Sequence, residues 1–443
     1  MRRKRTPLPA PVTASIEKLS HEGRGVTRVD GKVVFVDGAL AGETVRLAYV
    51  RTHREYDEAV VEEVLAGSPD RIEPRCPHAA MCGGCSLQHL ESGAQIREKE
   101  ALLLELLRHT GKVEPEEILP PLQAQSWHYR TKARLSVRFV EKKAKTLIGF
   151  RERVNPRFIA EIESCAVLDA RVDNALMTIR ALLDSLENPR AIAQIEVAAS
   201  DERVALIFRN LVPLSAKDEA ALAGFAETSG FIVCLQPGGP DSVYLLAPAD
   251  ASMMLEYSLE EEGITYRFHP TDFTQVNPAM NALMVREARR HMELTPDDSV
   301  LDLFCGLGNF SLALAKHCRN VMGVEGSSEM VERARMNAQA NGITNASFED
   351  MNLDAPGVIA KLSEHGASKL LIDPPRSGAL EIVRTIDSLA LTRIVYISCN
   401  PVTLARDAGV LVNEKGYRLV AAGVMDMFPH TAHVESMAVF EKR

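Results

Sequence analysis

The sequence predicts a multidomain α/β protein: a small, OB-like N-terminal β-barrel, an α+β central domain and a C-terminal Rossmann-like domain. Three observations carry this prediction. Short strand-like runs separated by glycines crowd the first 70 residues. Three cysteines, Cys76, Cys82 and Cys85, then fall within ten residues. In the last third, β-branched runs alternate with helical patterns, the mark of a parallel sheet wound by helices. The expected domains are 1–70, 71–268 and 269–443.

Composition narrows the function classes. With 443 residues, one hydrophobic core cannot serve the whole chain. A hydrophobic fraction of 46% and a charged fraction of 25% are ordinary for a soluble protein. No apolar run approaches the roughly 20 residues that span a bilayer. The basic start, M-R-R-K-R, is followed by no apolar stretch, so it does not read as a secretory signal. The expectation is a cytoplasmic protein with no membrane partner, and a monomer by default. The eight cysteines are too scattered for a disulfide framework. A net charge of −9 argues against nucleic acid, but the charge is uneven. Between Trp127 and Cys165, ten Lys or Arg face four Glu. Trp127, Tyr129, Phe139, Phe150 and Phe158 are interleaved there, a pattern that suits flexible RNA and equally suits a solvated strand face.

Taken in order, strands are expected at 14–16, 32–36, 43–50 and 58–64, with Gly23, Gly25, Gly31, Gly38 and Gly42 as turn signals. A leucine-rich amphipathic helix covers 95–110 and ends at Gly111; it can pack on the C-terminal domain. Central strands are expected at 133–140, 147–151, 195–199, 204–208 and 232–235, with helices at 170–186 and 216–228. A strand pair near Ser258 and Tyr266 leads into the last domain. There the strands are 300–304, 321–325, 369–372, 393–397 and a last one, 436–440, begun by Glu435, and the helices 312–317, 328–341, 379–386 and 402–411.

Two features in this last domain carry chemistry. The first is a glycine loop, D-L-F-C-G-L-G-N, with Phe304, Gly306, Gly308 and Asn309 between a strand and a helix. Glu325 ends the next strand, where a carboxylate can accept from both ribose hydroxyls. No P-loop lysine is present, so the ligand is a nucleoside without a strong phosphate cradle. The second is Cys399, in R-I-V-Y-I-S-C-N-P, where a strand ends and a ligand crevice is expected. Its two readings are a nucleophile and a buried, inert small side chain.

The glycine loop, V-E-G-S at 324–327 and E-D-M-N at 349–352 together resemble class I S-adenosylmethionine-dependent methyltransferases. That resemblance places Asn352 near the adenine or ribose, and Asp373, in D-P-P-R, beside the methyl donor. D-P-P-R, S-C-N-P and H-V-E at 433–435, with Phe273-Thr-Gln275-Val-Asn277, resemble the RNA uracil-5-methyltransferases. Methylation of carbon-5 of a uracil needs a thiolate that adds to carbon-6, then a base that removes the carbon-5 proton. The resemblance makes Cys399 the nucleophile and Glu435 the base, and puts Gln275 at the donor and target pocket. On chemistry alone His430 and His433 remain rival bases. Amino-methylating enzymes carry an aromatic where Arg376 stands, which disfavours that class.

Cys76, Cys82 and Cys85 need a fourth ligand to close a metal site, and Cys165 is the best remaining thiol; His78 and His89 rival it for zinc. The resemblance to a cluster-bearing subgroup of the same family implies a [4Fe–4S] cluster on Cys76, Cys82, Cys85 and Cys165. It also implies that the N-terminal barrel is the RNA-binding domain called TRAM. Barrel, cluster and catalytic domain together point to the ribosomal-RNA branch, acting on uracil 1939 of 23S rRNA. The alternatives are a uracil-5-methyltransferase for tRNA or another site and, from a different class, a non-catalytic metal-stabilised RNA-binding protein.

Overall fold

The computed structural model describes residues 7–353, 355 and 357–443. The first six strands are β1 (Val12–Ser15), β2 (Lys18–Leu19), β3 (Gly25–Val29), β4 (Lys32–Asp37), β5 (Thr44–Thr52) and β6 (Tyr56–Ala66). They form one sheet in the order β1-β5-β6-β4-β3-β2 around Ile16, Val34, Val36, Val45 and Leu47. Sequence patterning missed β2 and β3, because both lie among the glycines that also read as turns.

Residues 67–91 carry the first three cysteines with little regular structure. Helix α1 (Ser92–Leu106) follows, its start capped by Glu91, whose carboxylate accepts from Ala94 N–H at 2.9 Å. It runs into a π-helical turn, Leu107–Gly111. Ile96, Leu103 and Leu107 are buried in the core of the C-terminal sheet, so this helix packs there although it precedes the central region. The short β7 (Glu117–Ile118) then joins the edge of the same C-terminal sheet.

The central sheet contains β8 (Lys132–Val140), β9 (Lys145–Gly149), β10 (Ile192–Ala199), β11 (Val204–Asn210), β12 (Ile232–Gln236) and β13 (Tyr244–Ala247), in the order β13-β12-β11-β10-β8-β9. Helices α2 (Ala170–Ser185) and α3 (Ala216–Ser229) bury Leu176, Ile179, Leu183 and Leu222 against it. A hairpin, β14 (Leu255–Leu259) and β15 (Ile264–Phe268), and helix α4 (Pro278–Met292) bridge to the last unit.

That unit runs β16 (Ser299–Leu303), α5 (Ser311–Ala315), β17 (Asn320–Glu325), α6 (Ser328–Ala340), β18 (Ala346–Asp350), α7 (Val358–Leu362), β19 (Lys369–Ile372), α8 (Leu380–Thr385), β20 (Arg393–Ser398), α9 (Pro401–Asn413), β21 (Tyr417–Met425) and β22 (Glu435–Lys442). The sheet order is β18-β17-β16-β19-β20-β22-β21-β7. Strands β16 to β20 are parallel, and β22 inserts antiparallel between β20 and β21. The order reverses between β16 and β19, so a ligand crevice opens at their carboxyl ends. Among the described residues, no helix is long and apolar enough to cross a membrane.

Candidate active site

The glycine loop leaves β16 through left-handed backbone at Phe304 (φ +65°), Gly306 (+56°) and Gly308 (+90°). A Cβ on Gly308 would sit 3.3 Å from Leu312 and 3.4 Å from Phe348, so glycine suits both conformation and space. Phe304 has no such freedom, and a bulky residue with this backbone marks local strain. Glu325 ties the loop to the next strand. One carboxylate oxygen accepts from Gly306 N–H at 3.1 Å; the other accepts from Gly326 and Ser327 N–H at 2.7 and 3.1 Å. Asn352 follows β18 on the same side, one residue after Met351, whose N–H donates to the Glu325 carbonyl at 3.0 Å.

The amide of Asn309 is committed elsewhere. Its Oδ1 accepts from the Tyr257 hydroxyl and Asn281 Nδ2, both at 2.9 Å, and its Nδ2 donates to Asn281 Oδ1 at 2.8 Å. Gln275 is half-buried beside Tyr257 and Asn281. Asn277 in the same motif caps α4, accepting from Met280 N–H at 3.2 Å. Sequence reading missed this cap, although Asn-Pro before a helical run signals it.

The carboxyl ends of β19 and β20 hold the acid–thiol centre. Asp373 follows β19, and its N–H donates to Leu303 O at 3.3 Å, next to the start of the glycine loop. Cys399 follows Ser398, which pairs with Ser436 across β20 and β22. Glu435 precedes Ser436, so the antiparallel register puts Cys399 and Glu435 at one end of the sheet. Asn400 caps α9 through Val402 N–H at 3.1 Å and donates to Arg376 O at 2.9 Å, joining S-C-N-P to D-P-P-R.

Burial raises all three acids, and the two carboxylates add to the shift of the thiol. Burial, then the Glu435 and Asp373 charges, push the Cys399 thiol up to about 11, against the pull of Arg376. Burial and then Asp373 push Glu435 well above the usual carboxylate range; its side is 5% exposed. Asp373 keeps a partly open side, yet desolvation raises it to about 7. Of the rival bases, His430 is engaged through both ring nitrogens, with Gln95 at 3.3 Å and Ser126 O at 3.1 Å. His433 is exposed and contacts Arg376 at 3.2 Å.

Cys399 opens on a cavity of about 600 Å³, lined with it by Arg376, Arg130 and His433, by His21 of the N-terminal sheet and by Gly84 of the cysteine segment. All three parts of the chain therefore meet there. Another cavity of about 600 Å³, between Asp241 and Glu332, presents acids and no thiol, and so does not suit an anionic polymer. Of the interleaved aromatics, which suit either RNA or a solvated strand face, Trp127, Phe139 and Phe150 are half-buried. Trp127 stacks on His430 at 3.8 Å, Tyr129 is buried, and Phe139 faces Arg190; Phe158 alone of the five is exposed.

Cys82, Cys85 and Cys165 are buried in one core with Cys76 close enough that the thiols raise one another's pKa. Burial is the larger cause, taking Cys82 to about 11 and Cys165 to about 12. Gly83 has no room for a Cβ, which would meet Arg151 O at 2.9 Å. Among the described residues, no three His, Cys, Asp or Glu are spaced to hold a metal ion. His78 Nε2 accepts from Glu163 N–H at 3.1 Å. The Nε atoms of Arg130 and Arg153, whose charges act on Cys85, are buried without partners.

The family model described as tRNA (Uracil-5-)-methyltransferase matches residues 92–443, and the TRAM domain matches 11–54. The chain belongs to the RNA uracil-5-methyltransferase family. Its uracil-5-methyltransferase relatives include a protein of Legionella pneumophila (strain Paris) named 23S rRNA (uracil(1939)-C(5))-methyltransferase, 56% identical over 97% of both chains. A protein of the same name from Hahella chejuensis is 49% identical over the full length of both. The Pyrococcus abyssi tRNA (uracil-54, C5)-methyltransferase, solved with S-adenosyl-L-homocysteine, has the same fold: TM-score 0.74 and 24% identity over 97% of this chain and 99% of that one.

Proposed function

We propose that this uracil-5-methyltransferase family member moves a methyl group from S-adenosylmethionine to carbon-5 of a uridine in 23S ribosomal RNA, the uracil 1939 of its relatives' names. The observation that carries the reading is the pairing that sets Cys399, which opens on a cavity, beside Glu435, at the sheet end where Asp373 bonds to the start of the glycine loop. A base inside a duplex could not reach this thiol, so the uridine is unpaired or extruded. Cys399 loses its proton to the medium and its sulfur bonds to carbon-6, which leaves carbon-5 electron-rich. Carbon-5 takes the methyl group, and S-adenosylhomocysteine leaves. Glu435 takes the carbon-5 proton, the carbon–sulfur bond breaks, and that proton returns to the Cys399 thiolate. The Glu435 charge, which makes the Cys399 sulfur hold a proton more tightly, supports the return of that proton to sulfur. Glu325 holds the donor ribose, with Phe304, Gly306, Gly308, Gln275, Asn352 and Asp373 around the donor; Asn309 shapes the loop.

In this reading residues 1–70 are a TRAM-type RNA-binding barrel, 71–268 a central RNA- and cluster-binding part, and 269–443 the catalytic domain. Cys76, Cys82, Cys85 and Cys165 fit a [4Fe–4S] cluster. A cube holds its thiolates farther apart than a single ion does, and Arg130 and Arg153 would offset its negative charge. When bound, the cluster supplies a cross-link between the cysteine segment and the central sheet.

The three-part architecture does not separate ribosomal from transfer RNA, since the Pyrococcus tRNA enzyme overlays nearly all of this chain. The identity of 49–56% with full-length relatives named for 23S rRNA favours the ribosomal substrate. Labelled donor with unmodified 23S rRNA and with unmodified tRNA, followed by mapping of the product, tests it. Label at one uridine of the 23S transcript is expected; label only in tRNA overturns the substrate, and label in neither overturns the activity.

A further inference from the structure

Resting on that mechanism, we infer that Gln95 and Lys99, on α1, are positioning residues for Glu435 and not for Cys399. Strand β22 starts at Glu435, and the nine residues that lead into it, 426–434, have no regular structure. Much of their backbone is satisfied from outside the catalytic sheet. Phe428 O accepts from Lys99 Nζ at 3.1 Å, Pro429 O from the Tyr129 hydroxyl at 3.2 Å, and His430 O from Leu87 N–H at 2.9 Å. His430 N–H donates to Gln95 Oε1 at 2.8 Å, and Ala432 N–H to Ser86 Oγ at 2.9 Å.

Two of these anchors are unusually demanding. Lys99 Nζ is 2.6 Å from Asp426 Oδ1 with both side chains almost fully buried, so each charge depends on the other. His430 holds left-handed backbone (φ +65°). Its Nε2 faces the carbonyl of Ser126, which only accepts, so Nε2 carries the proton and Nδ1 accepts from Gln95 Nε2. The two hydrogens of Gln95 Nε2 are shared between His430 Nδ1 and the carbonyls of Leu87 and Leu90, at 3.1 and 2.8 Å from the latter two. One amide thus joins the helix, the cysteine segment and the strained residue of the loop. Cys399 shares the Ser398–Ser436 pairing with Glu435, but its other side is held by the Asn400 cap, and among the described residues neither Gln95 nor Lys99 bonds there.

Loss of either anchor should therefore disturb proton removal by Glu435 more than thiol addition by Cys399. The test uses full-length Gln95→Met and Lys99→Met with unmodified 23S rRNA and labelled S-adenosylmethionine, quenched in detergent. Formation of the labelled protein–RNA band should stay within about threefold of wild type, while its decay slows about tenfold to a hundredfold. Glu435→Gln is the reference. If it accumulates no band, the covalent mechanism itself fails. If it does, and Gln95→Met forms and resolves the band like wild type, the positioning role alone fails. Formation and decay slowed equally would also overturn it, as would loss of donor binding in both variants. Should Lys99→Met not fold, Gln95→Met, which removes no charge, decides.

Discussion

Cys399 directly follows β20 and Glu435 is the first residue of β22, at the end where Ser398 pairs with Ser436, and the Glu435 charge makes the Cys399 thiol harder to ionise. In the free protein at neutral pH the thiol therefore keeps its proton.

The first prediction concerns pH. Thiol addition needs the thiolate, and the thiol is raised to about 11, so the reactive fraction grows with pH throughout the neutral range. The single-turnover rate of adduct formation, at saturating RNA and donor, should climb up to about tenfold per unit between pH 7 and 9. A plateau below pH 8 would mean that bound RNA or donor activates Cys399 by a charge the free site lacks.

Glu325 gives a second prediction. Its oxygens already organise three backbone N–H groups, and the ribose hydroxyls would be further donors. Losing a charge-assisted bond of about 1.5–3 kcal/mol in Glu325→Ala should weaken donor binding roughly ten- to over a hundredfold. Calorimetric titration with S-adenosylhomocysteine measures this directly; unchanged affinity would remove Glu325 from the donor site.

Strand periodicity and chain-break residues made much of the C-terminal sheet legible in the sequence. Leu370–Ile372 is a continuous apolar run, and S-C-N-P stops β20 where Asn400 caps the next helix. The insertion of β22 between β20 and β21, which sets Glu435 beside Cys399, is a tertiary choice that no local pattern states. Leucine spacing announced α1 but could not say which sheet it would join. The two residues of β7 are too few to show a period. Asn309 looked like a ligand contact because of its place in the loop, and only its distant partners Tyr257 and Asn281 reveal where its amide goes. Trp127 looked like a base platform until His430 was seen to cover it.

The cysteines supply the third prediction. Protein purified without oxygen should be brown and contain about four irons per chain, as a [4Fe–4S] cluster requires. Cys165→Ser should lose most of that iron and bind RNA more weakly, while donor affinity, which depends on the distant glycine loop, changes little. Stoichiometric zinc in place of iron, in protein never exposed to air, would contradict the cluster.

The last prediction concerns Asp302, which lies beneath the glycine loop. It is fully buried; one oxygen is bonded to Ser311 Oγ, and the other has no partner. Burial is the largest cause that raises it to about 7, with Asp373 and Glu325 adding to the shift and Ser311 opposing it. A carboxyl that holds its proton more tightly folded than unfolded stabilises the fold below its unfolded pKa, near 4. That contribution fades as pH rises through the folded value near 7. Asp302→Asn keeps the shape and removes the titration. Its stability relative to wild type should therefore improve steadily from pH 4 to 7, by at most about 1.4 kcal/mol per unit, and then level off. Urea unfolding of both proteins at pH 4.5, 6 and 7.5 would read this out. A difference that stays constant with pH would show that Asp302 is ionised at neutral pH in the folded protein, with a partner for its second oxygen.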